Sequence, residues 1–162
     1  MKGGDLRVMT IIRRALFPDD TAAVLAIWRD FIAKSSVNLD YQNNDAEFAT
    51  LPGKYSAPDG CVLLADSSGV IDGCVALRRV DAEICEMKRL YVRPQARGAR
   101  LGRLLVERLI ADARAIGYRE MRLDVHGVFT AARGLYQSLG FDTAEPVSFN
   151  PVPGAVFLGL RL

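Results

Sequence analysis

The 162-residue sequence has one histidine, three cysteines and almost no excess charge. One histidine excludes a metal centre built on several imidazoles, and any long histidine relay. An odd cysteine count without a C-x-x-C pair argues against a disulfide framework. Cys61, Cys74 and Cys85 each lie in an apolar run (CVLLA, GCVAL, EICEM), where a thiol packs as a small hydrophobe. No apolar run approaches the ~18 residues that span a bilayer. The opening MKGGDLRVMT lacks the apolar stretch of a secretory signal. The expectation is a cytoplasmic protein without a membrane partner. With 21 Lys and Arg against 19 Asp and Glu, net +2, there is no bulk attraction to nucleic acid. Repeats, low-complexity tracts and Pro/Gly-rich linkers are missing too. Residues 1–162 therefore read as one domain, with 1–5 expected to be flexible.

What is present is an alternation of strand and helix patterns. A strand fits Val8 to Ala15, and Pro18-Asp19-Asp20 supplies a helix start in which an Asp side chain can cap orphan N–H groups. TAAVLAIWRDFIAKS follows as an amphipathic helix, and a second short helix fits Asn44 to Thr50. From Gly60 the pattern turns to strands: a hairpin CVLLAD/VIDGCVALRRV, then EICEMKRLYV up to Pro94. Arg100 to Ile116 has Leu101, Leu105, Val106, Leu109, Ile110 and Ala113 on one side and charges on the other. A strand (REMRLDV), a helix over 130–139 and strands from Phe141 and from Ala155 to Leu162 complete the chain. The order β-α-(α)-β-β-β-α-β-α-β-β implies an α/β (α+β) sandwich, with helices on both faces of one sheet.

The chemistry concentrates between Met87 and Val106, which holds six bases (Lys88, Arg89, Arg93, Arg97, Arg100, Arg103) and no acid. The segment reads strand, tight basic loop, helix. A helix N-terminus offers unpaired N–H groups and partial positive charge to a phosphate. Gly98 and Gly102 allow close backbone approach, and arginines add bidentate contacts. Neither G-x-x-x-x-G-K-[ST] nor a G-x-G-x-x-G after the strand occurs. On composition alone, a solvated basic helix start fits as well.

RLYVRPQARGARLGRLLVERLI resembles the acetyl-CoA-binding motif of the GNAT N-acetyltransferase superfamily, [QR]-x-x-G-x-[GA], read here as Arg97-Gly98-Ala99-Arg100-Leu101-Gly102. GLYQSLGFDTAEP resembles its second hallmark, L-Y-x-x-x-G-F, at the right distance downstream and with a strand between. CEMKRLYV with LPGKY is similar to a subgroup of small single-domain bacterial members. The resemblance implies a mixed, largely antiparallel sheet that splays between its fourth and fifth strands. It implies acetyl-CoA as acyl donor, without a metal: the pantetheine arm on the strand edge at Leu90, Tyr91 and Val92, and the pyrophosphate on residues 97 to 103, Arg103 included. It implies direct attack by an amine in a ternary complex, with Tyr136 as general acid and Glu86 as base.

The residues leave other readings open. Tyr136 also fits an amphipathic helix packed into the core. Strict alternation puts Ile84, Glu86, Lys88, Leu90 and Val92 on one face. There Glu86 is either a partly buried base of raised pKa or the ion-pair partner of Lys88 or a nearby arginine. His126 fits a proton relay or a capping role. Asp40, Tyr41, Asp45, Glu47 and Asn150-Pro151 fall where the resemblance puts the acceptor. Two departures stand out: Arg100 replaces a glycine, and Phe129 an Asn. The expected acceptor is a small primary amine, with a protein or peptide amine as rival. A catalytically idle acyl-CoA sensor of the same fold, and homodimerisation through the final strands, complete the alternatives.

Overall fold

The computed structural model describes residues 9–39 and 44–162. The expectations for residues 1–5, Val8, Asp40 and Tyr41 lie outside them. Among the described residues seven strands form one sheet: β1 (Thr10–Arg14), β2 (Cys61–Ser67), β3 (Val70–Arg79), β4 (Ile84–Val92), β5 (Glu120–His126), β6 (Asp142–Thr143) and β7 (Ala155–Arg161). Their order is β1-β2-β3-β4-β5-β7-β6, antiparallel throughout except for the β4–β5 pair. Four α-helices among the described residues cover it: α1 (Thr21–Lys34), α2 (Asn44–Ala49), α3 (Leu101–Ile116) and α4 (Thr130–Ser138). The mixed, largely antiparallel sheet with helices on both faces is the expected architecture.

The near-continuous apolar run of β2 is explained by burial on both sides. Val62 and Leu64 pack with Val24, Ile27 and Trp28 of α1, whereas Cys61, Leu63 and Ala65 pack with Leu105, Leu109 and Ala113 of α3. All three cysteines are free and buried, and burial lifts the Cys61 thiol to about 11 and those of Cys74 and Cys85 to about 12. α3 buries the apolar stripe read from the sequence. The start of α1 differs from expectation. Asp20 stands at the N-cap but makes no capping bond, because Arg13 donates to both of its oxygens, at 2.7 and 3.0 Å.

The larger correction concerns β4. Its alternation breaks at Arg89, which adopts φ 58°, and the β3–β4 register slips by one residue between Cys74 and Ala76. This bulge puts two residues opposite one and reverses the facing of everything beyond it. Glu86 and Lys88 share a face with Arg89 and Tyr91, while Leu90 and Val92 turn to the α3 side. Leu90 and Val92 therefore do not share the Glu86 face.

The bulge is anchored from α2. The fully buried Arg89 guanidinium donates to Glu47 Oε2 at 2.6 and 2.9 Å and to Asn44 Oδ1 at 2.9 Å, and lies 4.6 Å from the Trp28 ring centroid. Tyr55 and Lys54 complete the shell around Glu47. Desolvation acts to raise the Glu47 carboxyl, but the charge of Arg89 and the bonds from Lys54 and Arg89 outweigh it, and the net shift is downward. A carboxyl depressed in the folded state contributes stability above its unfolded pKa of about 4.3, and that contribution is lost as pH falls through the lower folded value. Glu47→Gln, which leaves Arg89 buried without its counter-charge, is expected to cost about 3–5 kcal/mol at pH 7 in urea unfolding. The gap from wild type should narrow on acidification through the carboxylate range.

Candidate active site

β4 and β5 pair in parallel for only three residues, Ile84↔Glu120, Cys85↔Met121 and Glu86↔Arg122, and then part. From Met87 to Val92 and from Leu123 to His126 the facing edges carry no ladder between them. A cavity of about 650 Å³ occupies the fork, within the range of small-molecule sites. Its walls come from β4 residues 87–92, the turn before α3, β5, α4, the end of α1 and the segment at Asn150 and Val152. Leu90, Tyr91 and Val92 all line it. Tyr91 is fixed by its hydroxyl on Asp30 (2.8 Å) and by stacking on Phe31.

At one end the cavity meets the loop into α3, through Arg97, Gly98, Arg100, Leu101 and Gly102. Gly98 has φ 96°, in a conformation that disfavours side chains. Arg100, standing in place of a glycine, still takes the glycine-like conformation at φ 59°, as the N-cap of α3. The six-base segment resolves into unlike parts. Lys88 lies beside Glu86, Arg89 is buried on Glu47, Arg93 binds Asp30 and Arg103 binds Glu107. Arg97 and Arg100 alone in the segment have no acidic partner among the described residues, and both are exposed at the loop. Ala99 and Arg103 do not line the cavity; Arg103 turns instead to Glu107 and to Ser138 Oγ.

Tyr136 projects from α4 into the fork. It is buried, packs on Phe141, and its hydroxyl has no hydrogen-bond partner among the described residues. Desolvation first, and the nearby charge of Asp124 second, raise its pKa well above the ordinary value of about 10. The phenol thus stays protonated through the physiological range, as a donor aimed into the cavity.

Glu86 does not line the cavity. Its Oε1 accepts from Arg78 Nε at 2.7 Å, its Oε2 accepts from Ser148 Oγ at 2.8 Å, and Lys88 Nζ lies 3.6 Å away. It is an ion-paired residue of the sheet face. The carboxylate that does meet the cavity is Asp124, which the sequence reading passed over. Alternation in EMRLDVH puts Arg122, Asp124 and His126 on the half-buried face of β5, and that period-2 signal could have found it. Asp124 Oδ2 accepts from Asn150 Nδ2 at 2.7 Å.

His126 lines the cavity with both ring nitrogens engaged. Nδ1 accepts from Val128 N–H at 3.1 Å, which leaves the ring proton on Nε2, 2.7 Å from Pro153 O. This is the capping arrangement. Ser148 on Glu86, Asn150 on Asp124 and Pro153 on His126 together latch the β6–β7 loop over the fork. Phe129 lines the cavity at the start of α4, Asp45 is exposed, Glu47 holds Arg89, and Pro151 stays outside. No group of three His, Cys, Asp or Glu able to hold a metal occurs among the described residues. None of the described helices is long and apolar enough to cross a membrane.

A family model described as Acetyltransferase (GNAT) family matches residues 24–141. An uncharacterised N-acetyltransferase of Schizosaccharomyces pombe is 39% identical over 147 residues, covering 90% of each chain. Among solved structures, a GNAT-family acetyltransferase of Staphylococcus aureus superposes with a TM-score of 0.78 at 17% identity, over 94% of this chain and 99% of that one. A putative acetyltransferase of Salmonella typhimurium, solved with its cofactor acetyl-CoA, does so with 0.72 at 24% identity, over 94% of each.

The loop latch is open to test at Gly154. Its φ is 88°, and a Cβ there would stand 2.9 Å from His126 Nε2. Gly154→Ala is expected to cost about 1–2 kcal/mol in thermal or urea unfolding, from the left-handed backbone alone. The His126 ring resonances should shift as its bond to Pro153 is displaced.

Proposed function

The chain belongs to the GNAT acetyltransferase family, and from that premise we propose that it transfers an acetyl group from acetyl-CoA directly to a small-molecule primary amine. The observation that carries the reading is the Tyr136 hydroxyl, unpartnered among the described residues, in a fork where β4 and β5 share no ladder beyond Glu86. The edge at Leu90, Tyr91 and Val92 offers main-chain groups to the amides of a pantetheine arm, as an added strand would. Exposed Arg97 and Arg100, with the N–H groups that open α3, suit a pyrophosphate. A main-chain N–H near Leu90 polarises the thioester carbonyl.

The amine arrives as an ammonium on the face of Asp124. The base role expected of Glu86 suits Asp124 better, because both Glu86 oxygens are occupied by Arg78 and Ser148. Asp124 accepts the ammonium's hydrogen bond and takes one proton from it, and the neutral amine then attacks the carbonyl carbon. The carbon–sulfur bond breaks and the departing thiolate takes the Tyr136 proton, while the second proton shed by the amine nitrogen passes to solvent, from which Tyr136 is reprotonated. The products are the amide and free CoA thiol. The latched β6–β7 loop and the modest cavity favour a small acceptor over a peptide.

Release of free thiol from acetyl-CoA across a panel of amines and peptides tests the reading; tight binding with no turnover would favour the idle sensor. Tyr136→Phe is expected to lower kcat about 10²-fold with little change in acetyl-CoA affinity, and an unchanged kcat removes Tyr136 as the acid. Because its pKa is raised, wild-type kcat should show no alkaline loss from Tyr136 below about pH 10.

A further inference from the structure

The fork separates two opposite charges that an unbroken sheet would have paired. Glu86↔Arg122 is the last rung between β4 and β5. Two residues on, on the same face, stand Lys88 and Asp124. Lys88 precedes the bulge, so it keeps the facing of Glu86. Had the ladder continued, the two side chains would be direct neighbours across the strands. Instead both line the cavity, and no ion pair joins them.

Neither charge is satisfied elsewhere among the described residues. The Lys88 side chain is 8% exposed, makes no hydrogen bond, and has one carboxylate nearby, Glu86, at 3.6 Å. That carboxylate is already bound at 2.7 Å by Arg78, so Arg78, Lys88 and Glu86 together carry one uncompensated positive charge. Asp124 accepts from an uncharged amide, Asn150, and has no cation partner. The other cations of the wall are committed or distant in role: Lys34 pairs with Asp30, Arg89 with Glu47, and Arg97 and Arg100 belong to the phosphate loop. A largely buried ammonium without a close counter-charge is costly.

We infer that the acceptor is a free amino acid, its ammonium on Asp124 and its carboxylate on Lys88. This rests on the acetyltransfer reading above and sharpens its substrate class. A simple amine would leave Lys88 uncompensated and desolvated in the closed complex. A carboxylate on Lys88 neutralises the excess charge and holds the amine at the Asp124 side of the fork.

The test is the steady-state release of CoA thiol by wild-type enzyme with a panel of free amino acids. Each is set against its carboxamide and its decarboxylated amine, with acetyl-CoA binding measured separately. The free acids should show kcat/KM higher by about 10- to 100-fold, the worth of one charged hydrogen bond. The advantage should collapse in Lys88→Gln and be largely retained in Lys88→Arg. Turnover of amides or decarboxylated amines as fast as the acids, or an advantage that survives Lys88→Gln, overturns the inference and leaves acetyltransfer standing. If acetyl-CoA binds but no amine or peptide is turned over, acetyltransfer itself fails and the inference with it.

Discussion

The parting of β4 and β5 after three rungs is the constraint on which the site depends. Two parallel strands that begin to pair should continue, because each further rung satisfies main-chain groups that are otherwise expensive to bury. The ladder ends at Glu86, and three residues on β4 changes its path at Arg89, where a non-glycine residue is held in left-handed backbone. Such a conformation costs on the order of 1–2 kcal/mol and persists only if its surroundings enforce it. Here the enforcement is visible. The Arg89 side chain is clamped by Glu47 and Asn44 and lies against Trp28, so reverting the bulge would drag a buried guanidinium away from its counter-charge. The small helix α2, which contributes no wall to the cavity, thus maintains its shape from outside.

The same clamp explains how the charge is distributed. The run of bases between Met87 and Val106 reads as one cationic patch, yet most of it serves structure. Arg89 holds the bulge, Arg93 ties β4 to α1 through Asp30, and Arg103 belongs to the surface of α3. The free positive charge that survives at the loop is two arginines, on a backbone already shaped by Gly98 and by the left-handed Arg100. Two guanidiniums beside a helix N-terminus match a pyrophosphate in charge and are too few for a polyanion. The small net charge of the chain hides this local excess.

The elements were legible because their signals are local. Helical spacing in α3, apolar alternation in β5 and the paired motifs around Gly98 and Tyr136 depend on neighbours in sequence. Two things were not legible, and both are long-range. The bulge at Arg89 inverts the facing of Leu90 and Val92, and nothing in EICEMKRLYV signals it, because its cause is Glu47, far away in the chain. The Glu86 environment depends on Arg78 across the hairpin and on Ser148 from the last loop. Sequence reasoning could pose the choice between base and ion pair there but could not decide it. Asp124 is readable from the β5 period, which places it on the half-buried face with Arg122 and His126.

The positions of Asp124 and Tyr136 bear on how transfer proceeds. Leu123 and Val125 pack on the α3 side of β5, and Tyr136 packs there too, whereas Asp124 lies on the opposite face. The proposed acid and the proposed proton acceptor therefore flank the fork from its two sides, with the strand edge between them. A thioester laid along that edge would have its sulfur toward one group and its carbonyl open to an amine beside the other. A covalent relay would instead need a nucleophile within the fork. The three thiols are in the core, away from the cavity wall, with pKa values lifted to about 11 and 12 by burial, and a thiol held protonated is a poor nucleophile. Direct attack, with donor and acceptor bound together, is the route for which this arrangement of groups is suited.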